Sequence, residues 1–165
     1  MTKTKQSLHI VIGMPGSGKT TYLKKILSEG AIDCYFDDYQ NGAPRENGPD
    51  SRATSDPRLS PNYPKVVAAM VAGQNVAIAD IRYCVPEEEK LICDFAAAEF
   101  PDVAIVLTYF ANDPDACRHN VRLRNREERV ERELRHIDNM TLQYNPPQTG
   151  VLPVIMGGKR VSYSG

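Results

Sequence analysis

Gly13-Met14-Pro15-Gly16-Ser17-Gly18-Lys19-Thr20 fits the pattern G-x-x-x-x-G-K-[ST]. An apolar run, Leu8-His9-Ile10-Val11-Ile12, precedes it, and Thr21-Tyr22-Leu23-Lys24-Lys25-Ile26-Leu27 follows with helical character. Strand, loop and helix in that order make this a nucleotide-phosphate site. The three glycines let the backbone curl so that successive N–H groups point inward at phosphate oxygens, a geometry that Cβ atoms would obstruct. In such a loop Lys19 reaches the β- and γ-phosphates and the Thr20 hydroxyl ligates magnesium. The phosphates also rest on the positive end of the helix that begins near Gly18. A ligand-free turn would need the glycines but would have no use for lysine and threonine there. The candidate nucleotide-binding residues are therefore Gly13 to Thr20 together with Thr21. Gly30 closes the helix.

Working outward, strand-like and helical segments alternate: strands near 8–12, 33–37, 75–80, 102–109 and 151–156, and helices over 18–29, 64–73 and 86–99, with helical segments from 113 to 144. This rhythm predicts an α/β protein, a three-layer P-loop NTPase fold with a mainly parallel sheet covered by helices on both faces. Val76-Ala77-Ile78-Ala79 and Val103-Ala104-Ile105-Val106-Leu107 are continuous apolar runs, as expected of strands buried on both sides. The 165 residues, 41% of them hydrophobic, suit one domain spanning 1–165. Residues 40–62, carrying four prolines and Arg45, Arg52 and Arg58, interrupt the rhythm as a long loop, either covering a substrate or mobile.

The formal charge of −1 and a pI near 6.3 supply no global basic field for long nucleic acid. Cys34, Cys84, Cys93 and Cys117 show no C-x-x-C pair and read as reduced thiols. No stretch has the length of a membrane span, and the short apolar run after Lys3 and Lys5 leads straight into the loop rather than to a cleavage site, so a cytoplasmic setting is expected.

Open α/β sheets bind ligands at the carboxyl ends of their strands. Asp37 and Asp38 fall at the end of the second strand, where a carboxylate can accept the proton of a hydroxyl that attacks the γ-phosphorus. Asp37 is the first choice and Asp38 the reserve; the alternative is a turn that aspartate merely opens. Asp80 ends the third strand, where it can hold magnesium through water, orient an acceptor, or cap the next turn. In the basic stretch Cys117 to Arg129, residues Arg118, Arg122 and Arg126 are spaced to line one face of a continuous helix and clamp the transferring phosphoryl group. The alternative is a solvated face paired with Glu127, Glu128, Glu131 and Glu133. Val130, Leu134, Ile137, Thr141 and Tyr144 recur as a packing face. His119 and His136 have no ligand spacing.

Together these parts resemble the P-loop kinases of the polynucleotide-kinase-like group, through the loop Gly13–Thr20, the run Asp37-Asp38-Tyr39 and the ending Ala79-Asp80. The resemblance implies that Asp37 is the general base and that lid arginines fall within Arg118–Arg126. Where the member acting on nucleic-acid ends has an arginine after Asp-Asp-Tyr, this chain has Gln40. The chain lacks an N-K-x-D guanine-reading sequence and an L-S-G-G-Q signature, and has no room for the added helical domain of a ring-forming ATPase. The expectation is a kinase using ATP and Mg2+, with Asp38, Gln40 and Arg45 on the acceptor side. Its acceptor would be a hydroxyl on a nucleic acid or nucleoside, or else on a small metabolite. A binding module without turnover is the remaining alternative.

Overall fold

The computed structural model describes residues 5–40, 56–124 and 127–157. Its sheet contains β1 (Ser7–Ile12), β2 (Cys34–Phe36), β3 (Val76–Ala79) and β4 (Ala104–Tyr109), all parallel, in the order β2-β3-β1-β4. The helices are α1 (Lys19–Ser28), α2 (Tyr63–Val71), α3 (Pro86–Glu99), α4 (Pro114–Arg124) and α5 (Glu127–Thr141). The chain leaves β1 for the far edge, returns to β3, then crosses to β4. The crevice at the end of β1 is thus the topological switch point, where such sheets bind ligands.

Alternation along β1 and β3 explains the layers. Leu8, Ile10, Ile12, Val76 and Ile78 face α2, α3, α4 and α5, packing with Val66, Met70, Ile92, Phe95, Val121 and Ile137. Val11, Ala77 and Ala79 face the other way, onto Leu23 and Ile26 of α1. The alanines let α1 approach closely. The expected packing face of α5 is observed: Ile137 and Tyr144 are buried, and Val130 and Leu134 pack against the same core. At the end of α1, Gly30 takes φ 78° and its N–H bonds the Leu27 carbonyl, as a helix-terminating glycine should.

Three expectations change. The strand predicted over 151–156 is reduced to one parallel bridge, Phe110 to Leu152. Pro153 offers no N–H to extend the pairing, and the Ile155 N–H goes to the Ser17 carbonyl of the loop instead. In consequence β4 lies at the sheet's edge, and Val106 and Leu107 of its apolar run are exposed rather than buried on both sides. The continuous helix predicted for the arginine row is two helices, α4 ending at Arg124 and α5 beginning at Glu127.

Of the 40–62 loop, residues 41–55, with Arg45 and Arg52, lie outside the described residues. Its two ends close on Tyr39: the Tyr39 hydroxyl donates to the Pro57 carbonyl at 3.0 Å, while Ser60 Oγ and Asn62 Nδ2 donate to the Tyr39 carbonyl. No helix among the described residues is long and apolar enough to cross a membrane.

Candidate active site

The turn from β1 into α1 works only with glycine at two positions. Gly16 and Gly18 adopt φ of 79° and 104°, where a side chain would be strained. A Cβ on Gly16 would also sit 2.5 Å from the Cys117 carbonyl oxygen, and one on Gly18 would sit 2.7 Å from Ile155 Cβ. α1 begins with Gly18 as its cap and no side-chain hydrogen bond there, so the helix's opening N–H groups have no capping side chain. Ser17 Oγ is buried with no hydrogen-bond partner among the described residues. Lys19 is buried too, its ammonium folded back to donate to the Gly13 and Met14 carbonyls at 2.7 and 3.0 Å. Uncapped amides, a hydroxyl without a partner among the described residues and a cation resting on loop carbonyls fit the tail of a nucleotide.

β2 and α1 bring Asp37 to Thr20. The Thr20 hydroxyl donates to Asp37 Oδ2, and Asp37 Oδ1 accepts from the Asp38 N–H at 3.0 Å. Asp38 has φ 49°, the one positive φ outside glycine among the described residues. Desolvation and then the charge of Asp37 raise its carboxyl above the ordinary value, against the opposing pull of Lys19 and Arg129. Asp38 therefore senses both the loop lysine and α5. The described residues contain no cluster of three or more metal-ligating side chains. A magnesium ion here would be held as such ions commonly are, by phosphates and few protein oxygens, with Thr20 the donor and Asp37 beside it.

Asp80 is buried, and both carboxylate oxygens are engaged. Oδ2 accepts from the Gln40 N–H at 2.7 Å; Oδ1 accepts from the Arg82 N–H at 2.9 Å, capping the short 3-10 turn Ile81–Cys84. Arg82 Nε lies 3.7 Å from the same carboxylate, and its Nη1 lies 3.7 Å from Glu88. Gln40 is buried in this network: its carbonyl accepts from Arg82 Nη2 at 3.2 Å and its side-chain oxygen from the Tyr83 hydroxyl at 2.9 Å. Geometry thus displays Asp80 as a cap and Gln40 as an anchor of the chain after Asp38.

Arg118 bonds Asp138 at 2.8 Å and Asp115 at 3.1 Å, tying α4 to α5 through aspartates that the charge pattern did not single out. Arg122 is exposed in the last turn of α4, and Arg126 lies outside the described residues. Two contributors escaped the sequence. The charge of Arg129 opposes the upward shift of the Asp38 carboxyl, and its place in a charge run hid it. Asn120, buried in α4, bonds the Gly16 carbonyl 104 residues away; one asparagine in a basic helix carries no signal of such a partner.

A family described as an AAA domain matches residues 8–147. No curated protein matches the chain. Among solved structures, one titled "Crystal structure of APE1195" is similar at 17% identity and a TM-score of 0.54, covering 94% of this chain and 88% of that one. A shikimate kinase from Bacteroides thetaiotaomicron is similar at 15% identity and a TM-score of 0.37, covering 84% of this chain and 80% of that one.

Proposed function

This chain belongs to the AAA domain family, and we propose that its phosphate loop serves a phosphotransferase, which moves the γ-phosphate of Mg-ATP to a hydroxyl acceptor. The observation that carries this is the contact of Asp37 with Thr20. It sets a carboxylate at the end of β2 against the loop residue that faces the phosphates, and ATP sensing alone has no need of such a base.

The backbone amides of residues 14–20, except Pro15, which has no N–H, bind the phosphate tail, and Lys19 exchanges its two loop carbonyls for phosphate oxygens. Magnesium, when bound, would neutralise charge on the β- and γ-phosphates; the Thr20 hydroxyl would hold it, and Asp80, whose oxygens already accept from the Gln40 and Arg82 N–H groups, would reach it at most through water. Asp37 takes the acceptor's proton as that oxygen bonds the γ-phosphorus, and the bond to the bridging oxygen breaks to release ADP. Asp38 stands in reserve for the same step. Arg122 and Arg126 close over the transferring group, while Arg118 holds α4 on α5 and joins them if its aspartates release it.

The leading acceptor is a hydroxyl on a nucleic acid or nucleoside. The burial of Gln40 favours the second reading, a small metabolite, because a side chain enclosed in the core and held by Tyr83 is not presented to an acceptor phosphate. γ-Labelled ATP presented with a library of hydroxyl acceptors tests both. Transfer that Asp37→Asn lowers at least about a hundredfold while Asp38→Asn spares it supports the assignment. ATP binding without transfer to any acceptor would sink the kinase in favour of a binding module. Acceptor binding that weakens steeply with salt marks nucleic acid, and insensitivity to salt marks a small neutral acceptor.

A further inference from the structure

One buried side chain joins the phosphate loop to two segments remote in sequence. Asn120 donates from Nδ2 to the Gly16 carbonyl at 2.8 Å and to the Ile155 carbonyl at 2.7 Å, and its Oδ1 accepts from the Gly157 N–H at 2.7 Å. Next along the loop, the Ser17 carbonyl accepts from the Ile155 N–H at 3.0 Å. Two successive loop carbonyls are therefore held from outside the cradle, one by Asn120 itself and one by the segment that Asn120 tethers.

The consequence follows from peptide planarity. In a trans peptide the N–H points opposite to the C=O, so fixing the Gly16 and Ser17 carbonyls outward fixes the Ser17 and Gly18 N–H groups on the opposite side: that of Ser17 donates to the Met14 carbonyl at 3.1 Å, closing the turn of the loop, and that of Gly18 is turned inward. Glycine at 16 and 18 leaves those peptides free to rotate, and the clamps remove that freedom before a ligand arrives. α4 can reach Gly16 because its backbone, at the Cys117 carbonyl, approaches within the space a Cβ would fill.

We propose that Asn120 is a positioning residue for the donor nucleotide, orienting the loop amides through Gly16 and the 155–157 segment, so that the helix bearing Arg118 and Arg122 also sets affinity for the phosphate tail. This rests on the phosphate loop being an ATP site. Calorimetric titration of the full chain with Mg-ATP, and separately with tripolyphosphate, tests it. Asn120→Ala is expected to weaken both ligands about tenfold, the worth of one to two hydrogen bonds. Asn120→Asp keeps the size and the Gly157 acceptor but sets a carboxylate against two carbonyls, so it should weaken both at least as much; it also serves as the readout if Asn120→Ala fails to fold.

Ile137→Ala, a core change in α5 that touches none of these bonds, is the control for lost stability. Tripolyphosphate affinity within twofold of wild type in the Asn120 variants overturns the proposal. So does a loss that Ile137→Ala reproduces at equal melting temperature. A wild-type chain that binds neither ligand overturns the ATP site itself, and the role of Asn120 with it; ligand binding by wild type but not by Lys19→Ala isolates the Asn120 result from that failure.

Discussion

The phosphate loop and the network around Asp80 lie at the ends of adjacent parallel strands, yet they are built on opposite principles. The loop is made of backbone, with uncapped amides, a Ser17 hydroxyl that finds no partner among the described residues and a lysine resting on carbonyls. The network is centred on side chains: Asp80 accepts from the Gln40 and Arg82 N–H groups, Tyr83 bonds the Gln40 side chain, and Arg82 lies between Asp80 and Glu88, all in a buried setting. Polar capacity left unused by the fold is capacity for a ligand. Capacity spent internally holds Asp37 and Asp38 in place but offers an acceptor little.

That contrast is broken most forcefully at Asp80. Asp80→Ala should cost about 3–5 kcal/mol, because it takes one of two carboxylates from the buried Arg82 guanidinium and strands two N–H groups. Denaturant unfolding measures it, and a loss below about 1 kcal/mol would mean that the network is not structural. Lys19→Ala should do the reverse, lowering phosphotransfer by about a hundredfold or more while leaving the melting temperature nearly unchanged; equal losses in both would dissolve the distinction. Gly18→Ala falls between, at about 1–3 kcal/mol of stability together with weakened ATP binding, since φ 104° and Ile155 both oppose a methyl group.

The smallest effect belongs to Asp38. Its carboxyl is raised in the folded chain, so ionising it costs stability above the raised value, and the cost vanishes below the ordinary value of 3.8. Asparagine tolerates the left-handed backbone equally well. Asp38→Asn should therefore raise the melting temperature slightly at neutral pH, with the gain fading toward pH 4; a gain unchanged with pH would assign it to something other than charge.

Most of the sheet and the phosphate loop were legible because their signals are local. Apolar runs of four or five residues give β1 and β3, and the loop's glycines, lysine and threonine stand within eight positions. The 151–156 strand misled because an apolar run carries no record of where its N–H groups go: Ile155 spends its own on Ser17. The arginine row misled for a related reason. Spacing of four implies one face only while a single helix continues, and this one ends at Arg124.

The sequence by itself determined the strand-loop-helix that makes a phosphate cradle and the carboxylates that end β2 and β3, since both follow from the conformational demands of neighbouring residues. Only the tertiary structure decided which polar groups are spent and which are free. It bound Gln40 and Asp80 into a core network, paired Arg118 with Asp138, and brought Asn120 to Gly16. Contacts between residues 20 to 104 positions apart depend on the crossing of helices over a sheet, and no local pattern of residues encodes that crossing.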